Sequence, residues 1–134
     1  MSRAKLVVSI ALLTGVVSSA AVSAHHSVQA EYDVSGKKVT VSGTVAKIEF
    51  LNPHSYLTLN VKDSEGKVAK WGFELGGVAK LRKEGFSRAD NGGVKPGDEV
   101  TATALPARNG STNGYLLELK MSDGRDFKFT TEQN

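Results

Sequence analysis

Short segments that alternate apolar and polar residues, interrupted once by a helix, most restrict how this chain can fold. Alternation with period two over such lengths is typical of strands with one buried face. The segments with this pattern are residues 38–51, 56–62, 69–75, 100–104 and 115–121. Between the third and the fourth, residues 78–84 have the pattern of a short helix, which Gly85 ends.

This order of elements predicts an all-β fold with one short helix. Three strands, a helix and two strands, with a bent first strand, is the order of the oligonucleotide/oligosaccharide-binding barrel, or OB-fold. The bend is expected after Gly43, where the apolar alternation changes phase. Phe127 and Phe129 either extend the last strand or form a sixth. We therefore predict a small OB-like barrel of five to six strands. A β-sandwich is the rival, disfavoured by the single interposed helix.

Side-chain parity along the predicted strands separates core from surface. Trp71 and Phe73 share the inward parity of the third strand, so we expect them in the core; a stacking platform for bases or sugars is the alternative. Glu74 has the polar parity of that strand and is expected to be solvated. In the fifth strand the residues of inward parity are Tyr115, Leu117, Leu119 and Met121.

Residues 1–24 have the three parts of a secretory signal. A basic leader with Arg3 and Lys5 precedes a short apolar core, and Val22 and Ala24 occupy the small-residue positions of a cleavage site. The apolar core is shorter than the roughly 20 residues that a membrane-spanning helix needs. We therefore predict a bacterial Sec-type signal peptide, a periplasmic or secreted protein, and no membrane span after cleavage.

Removal of the leader changes the charge balance and defines the domains. The chain has 17 basic and 14 acidic residues, and loss of Arg3 and Lys5 leaves 15 against 14. Such a nearly neutral chain is not expected to bind nucleic acid, which requires clustered Lys and Arg.

The chain contains no Cys, so disulfides and thiolate zinc sites are excluded. The predicted parts are a signal peptide (1–24), an N-terminal arm (25–37) and an OB-like barrel (38–131).

The arm can bring two histidines close to a third. Residues 28–33 alternate like a short strand, and a turn after them would send the arm back along the first strand. The arm is long enough to reach on the order of 40 Å when extended. It could therefore carry His25 and His26 to His54, beyond the far end of the first strand.

The paired histidines indicate metal binding once export exposes them. Cleavage after Ala24 makes His25 the first residue, whose α-amine and imidazole can chelate one metal, with His26 or His54 adding a nitrogen. Cleavage after Ser23 leaves Ala-His-His, in which the amine, two backbone amides and the His26 imidazole form a square-planar set. Tetragonal nitrogen sites favour Cu(II), which tops the divalent affinity order. Both routes therefore favour Cu(II) at the mature N-terminus with His25 and His26, and His54 is the candidate for a further ligand.

Simpler interpretations of these residues stay open. His25 and His26 can be polar residues that remain in solvent, and His54 can be a turn residue, because Asn-Pro is turn-forming. The second functional hypothesis is then a binding module for a small ligand, a glycan or a protein partner on the barrel face. Its candidate residues are Asn52, Tyr56 and Trp71. The sequence contains none of the common nucleophile, zinc-protease or phosphate-loop motifs, so we predict no enzyme.

Several short motifs together resemble one bacterial family. They are Ala24-His25-His26-Ser27, Glu31-Tyr32-Asp33, Val41-Ser42-Gly43-Thr44-Val45, Asn52-Pro53-His54-Ser55, Trp71-Gly72-Phe73-Glu74-Leu75 and Lys95-Pro96-Gly97-Asp98. The combination is similar to a family of small secreted bacterial proteins of unknown function. The resemblance implies a periplasmic or secreted protein with one barrel domain, and it implies no particular activity.

Overall fold

The computed structural model describes residues 27–88 and 93–131 of the chain. Its elements, in chain order, are α1 (Val28–Glu31), β1 (Val39–Glu49), β2 (Ser55–Lys62), β3 (Val68–Leu75), α2 (Val78–Lys83), β4 (Glu99–Pro106), β5 (Asn113–Met121) and β6 (Asp126–Lys128). The predicted signal peptide lies outside the described residues.

Five strands close into a barrel. The sheet order is β3-β2-β1-β4-β5, and a parallel pairing of β3 with β5 joins its two edges. β6 pairs with the outer side of β5 as a sixth strand. This is the predicted all-β, OB-like architecture with the helix α2 between β3 and β4, and the prediction is confirmed.

The bend of β1 lets one strand serve two neighbours. Its first half pairs with β4 up to Thr44, and its second half pairs with β2 from Thr44 onward. The register shifts between Val45 and Lys47, which is a bulge close to the predicted bend. At Gly43 an added Cβ would collide with the carbonyl oxygen of Asn60, so glycine is required where the strands approach most closely.

The barrel core is filled from the inner faces of all five strands and sealed at one end by aromatic rings. Phe86, which follows α2, is fully buried. Its ring lies 5.2 Å from those of Phe127 and Phe129 and 5.7 Å from that of Phe50. Leu81 of α2 is buried in the same cluster. The helix therefore caps the barrel through residues that lie on its inner side and directly after it.

A bulge in β5 turns Tyr115 to the outside of the barrel. The register between β4 and β5 shifts between Thr103 and Ala104, which leaves Leu117 as the extra residue. Leu119 keeps the inward parity, whereas the residues before the bulge change faces. The prediction that Tyr115 and Leu117 face the core is therefore wrong: the single extra residue reverses the alternation.

The arm covers this outward-facing side of β4 and β5. Val28 and Tyr32 of the arm are buried together with Leu105 and Tyr115 in a second cluster, which we call the outer cluster. The rings of Tyr32 and Tyr115 meet edge to face with centroids 5.8 Å apart. The side chain of Tyr115 is fully buried as a result.

The arm is a helical turn and not the expected strand. Val28 and Tyr32 are four residues apart, so one turn of helix places both on the same face. Tyr32 then forms a bridge with Ala107, and the Asp33 N–H donates to the carbonyl of Pro106 at 2.9 Å. The arm therefore pairs with the end of β4, and the expected pairing with the first strand is wrong.

We predict that Phe86→Ala destabilises the fold by about 3–5 kcal/mol, because it leaves a cavity among three aromatic rings. Urea denaturation followed by tryptophan fluorescence measures this. Val34→Ala, at an exposed position, is the control and should change the free energy of unfolding by less than about 0.5 kcal/mol. Equal stabilities of the two variants would contradict the assigned core.

Candidate functional site

The loop between β1 and β2 carries His54 into a buried position. Ser55 closes this loop: its Oγ accepts from the Leu51 N–H at 3.1 Å and donates to the Leu51 carbonyl at 3.2 Å. The Ser55 N–H donates to the carbonyl of Gly76, just after β3. His54 is consequently only 7% exposed.

Glu74 of β3 joins this loop to the arm. Its Oε1 lies 2.7 Å from Nδ1 of His54, and its Oε2 accepts a hydrogen bond from the Tyr32 hydroxyl at 2.5 Å. Glu74 is 4% exposed, so the expectation that it is solvated is wrong. It does point away from the barrel core, but the arm covers that side of the barrel. We call Tyr32, His54 and Glu74 the buried triad.

Tyr32 acts in the triad as a neutral hydrogen-bond donor. Burial raises the pKa of its phenol far above the usual range, and the hydrogen bond to Glu74 raises it further. The negative charges of Glu74 and Glu31 act in the same direction. The pKa of the neighbouring Tyr56 is also raised, first by partial burial and then by these two carboxylates.

The contact with Glu74 fixes how the His54 ring presents its nitrogens. A carboxylate 2.7 Å from Nδ1 favours a proton on that nitrogen. In the neutral ring the basic lone pair then belongs to Nε2. A carboxylate behind one ring nitrogen is the arrangement that orients metal-binding histidines and increases their basicity.

An open groove of ≈ 680 Å³ runs beside the triad, and we call it the arm groove. Residues 30–32 of the arm form one wall, β2 and β3 form the floor, and the loop before β5 forms the other wall. Tyr56 (40% exposed) and Glu74 line the floor. Arg108 belongs to the loop wall, and its Nε donates to the Gln29 carbonyl at 2.8 Å, which ties that wall to the arm.

The structure separates the three residues predicted to bind a non-metal ligand. Tyr56 lines the arm groove. Asn52 interacts with α2, where its Oδ1 accepts from the Val78 N–H at 3.0 Å. Trp71 stacks on Phe73 with ring centroids 6.1 Å apart and packs against the core, as expected from its parity.

Of the predicted metal ligands, His54 is placed in the buried triad. His25 and His26 lie outside the described residues, which begin at Ser27. Among residues 27–88 and 93–131, no three His, Asp or Glu side chains converge as a metal-binding group.

Sequence reasoning did not identify Glu74 and Tyr32 as site residues. The pairing of Glu74 with His54 could have been found from the β2–β3 hairpin, whose short turn sets a register that aligns Glu74 with Tyr56, close to His54. The contribution of Tyr32 had no such signal, because it depends on the outward turn of Tyr115 at the β5 bulge.

Residues 13–117, most of the chain, match a family of unknown function, DUF6152. The chain belongs to the DUF6152 family. In this DUF6152 protein the match begins at Leu13, covers the arm, β1 to β4 and the buried triad, and ends within β5. Neither a curated protein nor a solved structure matches the chain. Within the described part of this DUF6152 protein, no helix is long and apolar enough to cross a membrane.

We predict that Tyr32→Phe lowers the free energy of unfolding by about 1.5–3 kcal/mol at pH 7, because a buried carboxylate loses its donor. The pKa of Tyr32 is higher in the folded state than in the unfolded state. The stability contributed by its hydroxyl is therefore complete below pH ~10 and is lost as the pH rises beyond that value. The stability gap between the two proteins should therefore narrow in alkali. Urea denaturation between pH 7 and 11 measures it.

Tyr56→Phe is the matched control for this experiment. It removes the same oxygen from an exposed phenol of the same groove and should change stability by less than about 0.5 kcal/mol. If the two variants were equally stable at pH 7, the Tyr32–Glu74 bond would not contribute to stability.

Proposed function

We propose that the protein is exported, is not an enzyme, and binds Cu(II) through His25 and His26 of the mature N-terminus, with His54 as a further ligand. The observation that supports this most is the contact of 2.7 Å between Glu74 and Nδ1 of His54. It places a carboxylate behind one ring nitrogen of His54, as carboxylates stand behind metal-binding histidines, at the place where the arm meets the barrel.

The anchoring of the arm supports the participation of the N-terminal histidines. Tyr32 is bonded to the same carboxylate that contacts His54. Ser27 begins the turn of helix that leads to Tyr32, and a helix rises only about 1.5 Å per residue. His26 directly precedes Ser27, so only a short stretch of chain joins it to Tyr32. The anchored arm therefore connects the N-terminal histidines to the carboxylate that contacts His54.

Copper is the metal that this ligand set favours. An α-amine and imidazoles are nitrogen ligands, and tetragonal nitrogen sites prefer Cu(II) among the divalent metals. The α-amine has an ordinary pKa of about 7.7–8.0, so it competes for metal near neutral pH. Export matters to this chemistry because only removal of the leader creates the amine beside the histidines.

The first test is export itself. We predict that the full chain, expressed in a bacterium, is recovered from the periplasm or the medium with a mass that lacks residues 1–24 or 1–23. Ala24→Lys should block cleavage, since small residues are needed at that position. Ala30→Lys, outside the leader, should leave processing unchanged. Recovery of the uncleaved wild-type chain from the cytoplasm would refute the proposed compartment and the free amine.

The second test is Cu(II) titration of protein with its native N-terminus, followed by electron paramagnetic resonance. We predict one Cu(II) per chain with a multi-nitrogen tetragonal spectrum, lost in His25→Ala and in His26→Ala. Glu74→Gln should weaken binding about 10- to 100-fold, because outer-shell carboxylates contribute that much to metal affinity. Glu118→Gln, a strand glutamate outside the triad, is the control.

The outcomes separate the parts of the proposal. Weaker binding in His54→Ala and Glu74→Gln together would assign His54 to the site. A spectrum and affinity unchanged in both variants would restrict the ligands to the N-terminal residues. Binding no tighter than that of an unstructured peptide beginning with the same residues would refute the copper site.

The arm groove favours a second candidate function, the binding of a small organic ligand or glycan. The supporting observation is an exposed aromatic ring, Tyr56, on the floor of an open groove with polar walls. This function needs neither a free N-terminus nor His25 and His26. A ligand that binds the uncleaved chain as tightly as the mature one, and that is lost in Tyr56→Ala, would favour it over copper.

A further inference from the structure

A second groove lies apart from the arm groove. It has a volume of ≈ 530 Å³ and crosses the middle of β1 at Gly43 and Thr44. The end of β2 and the start of β3 line one side of it, and the start of β4 and the end of β5 line the other. We call it the β1 groove. Ligand pockets usually measure about 300–1,000 Å³.

Two buried apolar side chains form the floor of the β1 groove. Val100 and Met121 are buried core residues that border it, and Val68 forms a half-exposed part of its wall. Gly43 lines the pocket without a side chain, because an added Cβ would collide with the backbone of Asn60. Met121 is flexible and polarisable, so it can adapt to an inserted hydrocarbon chain.

The rim of the β1 groove carries more positive than negative charge. Lys62 and Lys120 line it, together with the single carboxylate of Glu99. Lys120 also lies 3.7 Å from the carboxylate of Glu118, but it is mostly exposed and such surface pairs are weak. The two ammonium groups therefore favour an anion over a cation at the entrance.

We propose that the β1 groove binds an amphipathic monoanion, an aliphatic carboxylate of medium chain length. The hydrocarbon chain contacts Val68, Val100 and Met121, and the carboxylate lies between Lys62 and Lys120. Hydrophobic contact supplies most of the affinity, and the lysines select the charge of the head group. The site is independent of the proposed copper site, because its lining contains no residue of the arm, of the His54 loop or of the buried triad, and it needs no histidine.

The probes for this site are octanoate, decanoate and the decyltrimethylammonium cation, each below its micellar concentration. The mature protein is titrated and observed by ¹H–¹³C NMR of its methyl groups. We expect saturable binding of decanoate with shifts at Val68, Val100 and Met121. Each buried methylene is worth about fourfold in affinity, so decanoate, with two more methylenes, should bind roughly fifteenfold tighter than octanoate. The cation should bind more weakly than decanoate.

Variants at exposed positions test the site without threatening the fold. Lys62→Gln and Lys120→Gln should each weaken decanoate binding about two- to fivefold, the range of exposed ion pairs. Val68→Glu should weaken it about tenfold, because it removes apolar contact and adds a like charge. The controls are Val34→Glu, at a similarly exposed valine of the arm, and Lys83→Gln on α2; neither should change the affinity.

Three results would overturn the proposal. One is binding that does not saturate. Another is equal affinity for decanoate and the decyl cation, which would remove the role of the lysines. The third is a set of methyl shifts centred on Leu57 beside the arm groove, together with an unchanged decanoate affinity in Val68→Glu. These results would place the ligand elsewhere.

Discussion

A buried carboxylate needs polar partners around it, and Glu74 contacts such partners from two separate parts of the chain. One oxygen accepts from Tyr32 of the arm, and the other contacts His54 of the loop before β2. Removal of either partner would leave the carboxylate incompletely satisfied inside the protein. The arm, the loop and β3 are therefore stabilised together, and the geometry of His54 depends on the docking of a segment more than twenty residues earlier in the chain. For this reason the proposed metal site depends on the correct folding of the arm.

The outer cluster explains how an arm with a single turn of helix can hold its place. A four-residue helix has almost no stability of its own, because helix nucleation is costly. Its order comes from the burial of Val28 and Tyr32 against Leu105 and Tyr115, and from backbone bonds to the end of β4. The same contacts complete one wall of the arm groove. Packing on the outside of the barrel thus shapes both candidate sites near His54.

The barrel could be predicted from the sequence because each of its elements is indicated by residues that are close together in the chain. The alternation in the strands, the turn chemistry around Gly66 and the helix ended by Gly85 each need only a few neighbouring residues. The placement of Glu74 and Tyr115 could not be predicted in the same way, because parity distinguishes two faces of a strand but does not show what covers the outer face. Val28, Ala30 and Tyr32 satisfy a strand period, whereas Val28 and Tyr32 also share one face of a helical turn, and their burial against Tyr115 on the outer face selects the turn. His54 was identified by its residue type, whereas its partners depend on tertiary contacts.

The bulge at Leu117 has a consequence for how such a protein can vary in evolution. One extra residue decides which side chains in the first half of β5 face outward. The surface that binds the arm therefore depends on the number of residues in the strand as well as on their identity. Substitutions in β5 that preserve hydrophobic character leave this arrangement intact, while the loss of a single residue would exchange the inner and outer faces of the segment before it. Length in β5 is therefore under a constraint that composition alone would not reveal, whereas the loops on either side are not bound by this alternation.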